Sequence, residues 1–154
     1  MTSLLHSINV SAGGVPKLAR RSAAVRARGV EGDRQRDLRH HGGPARAVCL
    51  YSLELIRALQ AEGHSIEVGS IGENFTLSGV PWDRMVPGAT LAVGDVHLEL
   101  TSYAAPCNNL VPYFAGGRFV RVAQKAHPGW SRLYARVVRE GTVQVGDAVC
   151  FAPR

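Results

Sequence analysis

The sequence predicts a single domain that is mainly β, built on a closed or strongly curved mixed sheet with a few helices. Short stretches in which apolar and polar residues alternate are separated by Gly, Pro or Asp, and this pattern is typical of short strands. Closure of the sheet is expected because it removes exposed strand edges. The 154 residues, 45% of them hydrophobic, contain no linker or low-complexity stretch, so one domain over residues 1–154 is predicted.

Two strands are predicted near the start of the chain. In "LLHSINV", the alternate residues that would share one face are Leu4, His6, Ile8 and Val10. In "AAVRARGV", Val25 and Ala27 would share one face, opposite two arginines. Both patterns have a period of two, which indicates half-buried strands.

One segment, "SLELIRALQAEG", predicts a helix. Ser52 is its expected N-cap and Gly63 its terminator, and an apolar face is formed by Leu55, Ile56 and Leu59. Two hairpins are predicted further along the chain: one in "TLAVGDVHLEL", with Gly94 and Asp95 at the turn, and one in "RLYARVVREGTVQVGDAVCFA", with Glu140 and Gly141 at the turn.

The net charge of +6 is concentrated in one segment. Nine Lys or Arg residues and three acids lie between Lys17 and Arg46, whereas the rest of the chain carries nine of each. Such a segment would attract a phosphate, another oxyanion or a nucleic-acid backbone. The alternative is a solvated basic loop.

Within this segment, "GDRQRDLRHHGGPARAV" combines glycines with groups that bind anions. Gly32, Gly42 and Gly43 would let backbone amides approach a ligand closely. The candidate donors are Arg34, Arg36, Arg39, Arg46, His40 and His41. Adjacent histidines on a strand point to opposite faces, so hydrogen bonding or simple exposure is favoured over a shared metal.

Three cysteines at wide separations fit neither a disulfide framework nor a CxxC zinc pattern, so reduced thiols are expected. Cys49 and Cys150 lie in apolar, strand-like sequence and are predicted to be buried. Cys107 follows a proline and precedes two asparagines, which predicts a loop. A loop thiol beside a basic segment is a better nucleophile or soft-metal ligand, and the alternative is a tolerated surface thiol.

A further candidate is Glu73-Asn74 in "GSIGENFTLSGV", where a tight turn would present a carboxylate and an amide together. The alternative is an asparagine-stabilised turn that enters a strand. The "HPGW" turn at 127–130 is interpreted as structural, and no GxGxxG dinucleotide loop is present at these glycines.

Taken in order, these motifs closely resemble the MOSC domain, which also forms the C-terminus of molybdenum cofactor sulfurases. The resemblance spans nearly the whole chain, and the motifs that carry it are Gly32-Asp33-Arg34, His41-Gly42-Gly43-Pro44, Arg46-Ala47-Val48, Tyr51, Gly72-Glu73-Asn74, Thr76, Pro87-Gly88, Val93-Gly94-Asp95 and Pro106-Cys107.

The resemblance implies a MOSC-type β-barrel and a site for the molybdenum cofactor (Mo-molybdopterin) or for sulfur delivered to it. In the family the loop cysteine is a molybdenum ligand or a proposed sulfur carrier, and that position is Cys107 here. The residues implied to bind the cofactor are Arg34, His41, Gly42, Gly43, Arg46, Glu73, Asn74 and Thr101. Donors of these types suit the phosphate and pterin, and a thiolate suits molybdenum.

Some family features are missing from the sequence. It has no aminotransferase-like pyridoxal phosphate domain, which the fused relatives carry, and Asn108-Asn109 follows Cys107 where many relatives have an aromatic or charged residue. The favoured function is reduction of N-hydroxylated compounds at a Cys107-ligated molybdenum, with electrons from an external reductase. A sulfur-carrier or cofactor-binding module that receives sulfur from a donor protein is the alternative, and nucleic-acid binding ranks last because few aromatic residues are interleaved with the basic segment.

The sequence has no apolar run long enough to span a membrane. Its first residues lack both the basic start and the apolar stretch that are typical of a signal peptide. A cytoplasmic protein without membrane partners is therefore expected.

Overall fold

The computed structural model describes residues 2–34 and 43–154. Those ranges contain eleven strands and one α-helix: β1 (Leu4–Val10), β2 (Leu18–Arg20), β3 (Ser22–Arg26), β4 (Gly29–Val30), β5 (Val48–Ser52), α1 (Leu53–Ala61), β6 (Phe75–Ser78), β7 (Thr90–Val93), β8 (Val96–Tyr103), β9 (Leu133–Arg139), β10 (Gly141–Gln144) and β11 (Val149–Ala152). Short 3-10 turns occupy Pro44–Arg46, Trp82–Arg84, Asn108–Tyr113, Ala115–Gly117 and Phe119–Val122. The predicted mainly β class is confirmed.

The strands form two sheets. The larger has eight strands in the order β11-β7-β8-β9-β5-β6-β1-β2, and the smaller has three in the order β10-β3-β4. β5 and β6 run parallel, since α1 and the loop after it carry the chain back between them. The larger sheet is therefore mixed, as predicted.

The larger sheet curves until β1 meets the start of β11, but no continuous ladder closes it within the described residues. One antiparallel bridge joins Leu4 to Ala148. The Leu5 amide donates to the Asp147 carbonyl at 2.9 Å, and the Gly146 amide donates to the Leu5 carbonyl at 2.8 Å. The sheet is therefore the strongly curved one of the two forms that the sequence predicted, and a short seam stands where the family resemblance implied a closed β-barrel.

The predicted alternation in the first strands was partly wrong. The pairing of β1 with β6 shifts register between Leu5 and Ser7, so Leu5 joins Ile8 in the core while His6 is exposed. A β-bulge of this kind reverses which alternate residues face inward. In β3, Val25 is buried as expected, but Ala27 lies beyond the strand in an exposed turn.

One hairpin prediction is confirmed and the other was wrong. β7 and β8 pair around Gly94, whose φ of 55° suits glycine in a tight turn. β10, however, pairs with β3 in the smaller sheet, while β9 pairs with β5 and β8. The chain therefore passes from one sheet to the other at Glu140 instead of turning back on itself.

The helix prediction is confirmed. The Leu55 amide donates to the Ser52 hydroxyl at 3.2 Å, which caps the first turn of α1. Ile56 and Leu59 pack with Tyr51 and Phe114 in a small core, separate from the larger one between the sheets. Among the described residues, no helix has the length and apolar character needed to span a membrane.

Candidate functional site

Several strand ends bring predicted site residues together at one side of the larger sheet. Thr101, near the end of β8, donates its hydroxyl to the carbonyl of Ala45 and also lies 3.2 Å from the Tyr134 carbonyl. The Arg46 guanidinium carbon lies 5.6 Å from the centre of the Tyr134 ring. Thr101 and Arg46 therefore meet at Tyr134, the second residue of β9.

Cys107 lies in the predicted loop, between the end of β8 and the 3-10 turn that follows. It is half-buried, precedes the 3-10 turn Asn108–Tyr113, and its carbonyl accepts from the Leu110 amide at 3.0 Å. Burial is the main cause of the raised pKa of Tyr134, and Cys107 makes the smallest electrostatic contribution in the same direction. The structure thus brings Arg46 and Thr101 into contact with one tyrosine, and Cys107 interacts with it only through a weak electrostatic effect.

Tyr134 also covers a second cysteine. Cys49 packs with Ala104 and Tyr134 in a small buried cluster, and burial raises the pKa of the Cys49 thiol to about 11. Burial likewise raises the pKa of Tyr134, with Arg132 and Arg46 opposing it. Both groups therefore keep their protons at neutral pH.

The third cysteine differs from its prediction. Cys49 is buried as expected, but Cys150 is exposed. On β11 Val149 is buried and Cys150, the next residue, lies on the opposite face of the strand, which is exposed. Apolar neighbours along the sequence did not indicate which face Cys150 would occupy.

Asn74 is fully buried and serves as a junction between loops and strands. Its side-chain oxygen accepts from the Cys49 amide at 2.9 Å, and its side-chain nitrogen donates to the Asn9 carbonyl at 3.2 Å and to Asp33 at 2.8 Å. These contacts fix the start of β5, on which Cys49 lies. Both the oxygen and the nitrogen of the Asn74 side chain thus form hydrogen bonds with other protein groups.

Glu73 is fully buried as well. One carboxylate oxygen accepts from the Gly69 amide and from the Thr76 hydroxyl, both at 3.0 Å, while the other has no hydrogen-bond partner among the described residues. Burial raises the pKa of Glu73. In the structure Glu73 and Asn74 hold the scaffold under the site, and their contact with a ligand stays a prediction.

The stretch of glycines, arginines and histidines at residues 32–48 is described only on either side of residues 35–42. At one end the Arg34 amide donates to the Ser11 carbonyl at 2.9 Å, and the Arg34 side chain is exposed. At the other end Gly43 has a φ of 93° and precedes the turn that carries Arg46. His41 and Gly42, together with Arg36, Arg39 and His40, lie outside the described residues.

Sequence reasoning missed Arg132, which is 6% exposed and lies just before β9. It donates to the Ile71 carbonyl at 2.7 Å and to the Ala105 carbonyl at 3.4 Å, while its Nε has no hydrogen-bond partner among the described residues. Arg132 thus holds the loop that leads to Cys107. The signal in the sequence was an arginine directly before the apolar start of a strand.

The sequence and the fold resemble those of known proteins. A family model described as MOSC domain matches residues 37–150. YflK from Bacillus subtilis is 30% identical over 135 residues, which is 86% of this chain and 60% of YflK. YiiM from Escherichia coli is 28% identical over 120 residues, which is 75% of this chain and 52% of YiiM.

The chain therefore spans about half to three fifths of the length of these two relatives. The crystal structure of YiiM from Geobacillus stearothermophilus superposes with a TM-score of 0.74 at 24% identity, over 99% of this chain and 76% of that one. The structural match shows a shared fold, and the family model covers most of the sequence. The chain belongs to the MOSC domain family.

Proposed function

We propose that this MOSC domain binds the molybdenum cofactor with Cys107 as a thiolate ligand and reduces N-hydroxylated compounds. When bound, the cofactor would supply the two-electron redox centre. The overall reaction takes an N-hydroxylated amine, two electrons and two protons to the amine and water, so the N–O bond breaks and the nitrogen is reduced. An external reductase supplies the electrons.

The observation that carries the proposal is the difference between the thiols of Cys49 and Cys107. Cys49 is buried with a pKa of about 11, whereas Cys107 is half-buried in a loop and interacts electrostatically with Tyr134. A soft metal needs an accessible sulfur that can lose its proton. Cys107 meets the first requirement, and Cys49 meets neither.

The groups around Cys107 fit an anionic cofactor. Arg46 lies on the same tyrosine, and the Nε of buried Arg132 has no hydrogen-bond partner among the described residues. A Cβ built on Gly43 would have no atom within 4 Å, so this backbone is open to a close approach. Guanidinium and backbone donors of this kind bind phosphate oxygens well.

A metal at this site would have to arrive with ligands of its own. Residues 2–34 and 43–154 contain no group of three or more His, Cys, Asp or Glu side chains placed to hold a metal ion. The molybdenum cofactor meets this condition, because its organic part carries the metal and the protein adds one thiolate. In this arrangement Arg34 and Arg46 would bind the anionic end of the cofactor. Tyr134 would keep its proton and would exclude water from one side of the site.

The alternative is a sulfur carrier that holds a persulfide on Cys107. The Cys107 thiolate would attack the outer sulfur of a donor persulfide, and the donor would leave as a thiolate. The protonation of Cys49 favours this alternative, because a neutral buried thiol does not readily attack a neighbouring persulfide to release it. The carrier function needs no electrons from a reductase.

Both functions are tested with protein expressed in a host that makes molybdenum cofactor. Molybdenum and pterin per chain are measured for wild type, for Cys107→Ala and for Cys150→Ala, which removes an exposed thiol on a different strand. We expect near-stoichiometric metal in the wild type and in Cys150→Ala, at least tenfold less in Cys107→Ala, and reduction of an N-hydroxylated purine only where metal is bound.

Two results would decide against the proposal. An equal amount of molybdenum per chain in all three proteins would show that Cys107 is not a ligand of the metal. No metal in any of them, together with an added sulfane sulfur on Cys107 in the intact mass after incubation with a persulfide donor, would establish the sulfur carrier instead.

A further inference from the structure

A basic groove lies where the two sheets meet, formed by residues outside the cysteine site. It has a volume of about 580 Å³ and is lined mainly by polar and cationic side chains: His6, Arg20, Arg21, Ser22 and Gln144. Sites for small molecules commonly enclose about 300–1,000 Å³. The groove is therefore large enough for a small ligand.

The backbone holds the lining residues in place. Arg20 pairs with Ile8 across β2 and β1, and Ser22 pairs with Gln144 across β3 and β10. Between the two pairs, the Val145 amide donates to the Arg21 carbonyl at 2.9 Å. The two arginines are thus carried on paired strands and on the bend between them, so a ligand would have to order their side chains but not the backbone that carries them.

The charges of the groove are not neutralised by the described protein. Arg20 and Arg21 are exposed and form no ion pair with a described residue, and no Asp or Glu lines the groove. Asp147 accepts from the Gln144 amide at 2.8 Å but is not among the residues that line the groove. Two arginines that line one groove, with no acid in the lining, favour a ligand that carries more than one negative oxygen.

The register shift in β1 explains why His6 lines the groove. The register shift between Leu5 and Ser7 leaves the histidine exposed on a strand whose other residues are mostly buried. Bulges are often found where a strand aims a side chain at a site. Together, His6, Ser22 and Gln144 add further hydrogen-bonding groups to the lining that contains the two arginines.

From this geometry we infer that the groove between β1–β2 and β3–β10 binds a small phosphate-bearing molecule. The arginines bind the phosphate oxygens, and the side chains of His6, Ser22 and Gln144 orient it. The inference does not depend on the cofactor proposal, because it involves neither Cys107 nor the residues around Tyr134.

Inorganic pyrophosphate is the probe, and its binding is measured by calorimetry in 0.15 M salt, at which weak surface attraction is largely screened. The test variant is the double substitution Arg20→Gln and Arg21→Gln. Its matched control is Arg26→Gln with Arg28→Gln, which removes the same charge at two exposed positions that do not line the groove. Circular dichroism verifies that each variant folds.

We expect saturable pyrophosphate binding to the wild type, at least tenfold weaker binding to the groove variant, and less than a twofold change in the control. The absence of saturable binding to the wild type would overturn the inference. So would equal weakening in both variants, because it would show attraction to net charge alone. Tight binding of a single-stranded RNA that pyrophosphate does not displace would overturn it as well, by assigning the surface to nucleic acid.

Discussion

Asp33 and Asn74 share a hydrogen bond of 2.8 Å between a carboxylate and a side-chain amide, and the same carboxylate oxygen lies 2.6 Å from the Lys17 ammonium. Asn74 also binds the Cys49 amide. One buried network therefore connects the start of the basic segment to the strand beneath the candidate site. The ion pair and hydrogen bonds of this network should therefore determine how firmly the basic segment is anchored.

The first prediction concerns Lys17. The side chains of Lys17 and Asp33 are 7% and 3% exposed, so Lys17→Met would leave a carboxylate buried without its ion pair. Breaking a buried pair on one side costs about 3–5 kcal/mol. We expect a loss of about 3 kcal/mol in the free energy of unfolding, measured by urea denaturation.

Lys125→Met, at an exposed lysine, is the control and should change stability by less than about 0.5 kcal/mol. The double variant Lys17→Met with Asp33→Asn should recover part of the loss, because it removes both charges and keeps a side-chain oxygen that can accept from Ser11 or Asn74. Equal stability of Lys17→Met and wild type would show that the ion pair does not anchor this network.

The second prediction concerns Gly69. Its φ is +83°, and a Cβ built there would lie 2.3 Å from the Lys17 carbonyl oxygen. Gly63 has a φ of +99° but no atom within 4 Å of such a Cβ. Alanine at either position must adopt a left-handed backbone conformation, which costs about 1–2 kcal/mol. Only in Gly69→Ala must the backbone at Lys17 also move away from the new methyl group.

We therefore expect Gly69→Ala to be less stable than Gly63→Ala by at least about 1–3 kcal/mol, the range typical of overpacking. Thermal and urea unfolding of the two variants provide the comparison. Similar losses in both would mean that the loop before β6 relaxes to make room.

The third prediction uses the raised pKa of Glu73. Burial is the main cause, and the Gly69 amide, the Thr76 hydroxyl and Arg132 oppose it. In the unfolded chain the Glu73 carboxyl loses its proton at about pH 4.3, whereas in the folded protein it does so at a higher pH. The free energy of unfolding that Glu73 contributes therefore falls as the pH rises from the unfolded pKa to the folded pKa. In Glu73→Gln the titration is absent.

We expect the stability of wild type minus that of Glu73→Gln to fall as pH rises from about 4 through the folded pKa of Glu73, and then to level off. The amide oxygen can accept the hydrogen bonds of Gly69 and Thr76, so the variant should fold. Urea midpoints measured across pH give the difference. Two parallel curves would contradict the assigned shift.

The fourth prediction distinguishes the cysteines by their reactivity. Cys49 is 4% exposed with a pKa of about 11, whereas Cys107 is half-buried and Cys150 exposed. A thiol reagent at neutral pH should label Cys107 and Cys150 in the native protein at least tenfold faster than Cys49. Peptide mass spectrometry gives the rate at each site.

Labelling in urea should make the three rates similar, which controls for the chemistry of the peptides. In Cys150→Ala, one fast site should remain. Fast labelling of Cys49 in the native protein would show that the Tyr134 cluster opens easily, and the contrast between the two thiols at the site would then be lost.

Local sequence was enough to predict the helix, the β7–β8 hairpin and the loop position of Cys107. Each depends on residues close in sequence: the Ser52 cap, the Gly94-Asp95 turn, and the proline and asparagines around the thiol. Capping and turn geometry are short-range properties, so they can be read without knowing the rest of the fold.

The tertiary structure decided what depends on distant partners. β10 pairs with β3 instead of β9, β1 contains a register shift that exposes His6, and Cys150 faces solvent. Strand pairing and burial are set by which sheet a segment joins, and a shift of one residue exchanges the two faces.

The order of the motifs was by itself sufficient to indicate the family, because it is a property of the chain alone. The meeting of Arg46 and Thr101 at Tyr134, and the hydrogen bond from Arg132 to the loop that leads to Cys107, required the fold. These residues come from segments far apart in sequence, and the pairing of β5, β8 and β9 brings them together. No local propensity encodes such an approach, since it results from long-range packing.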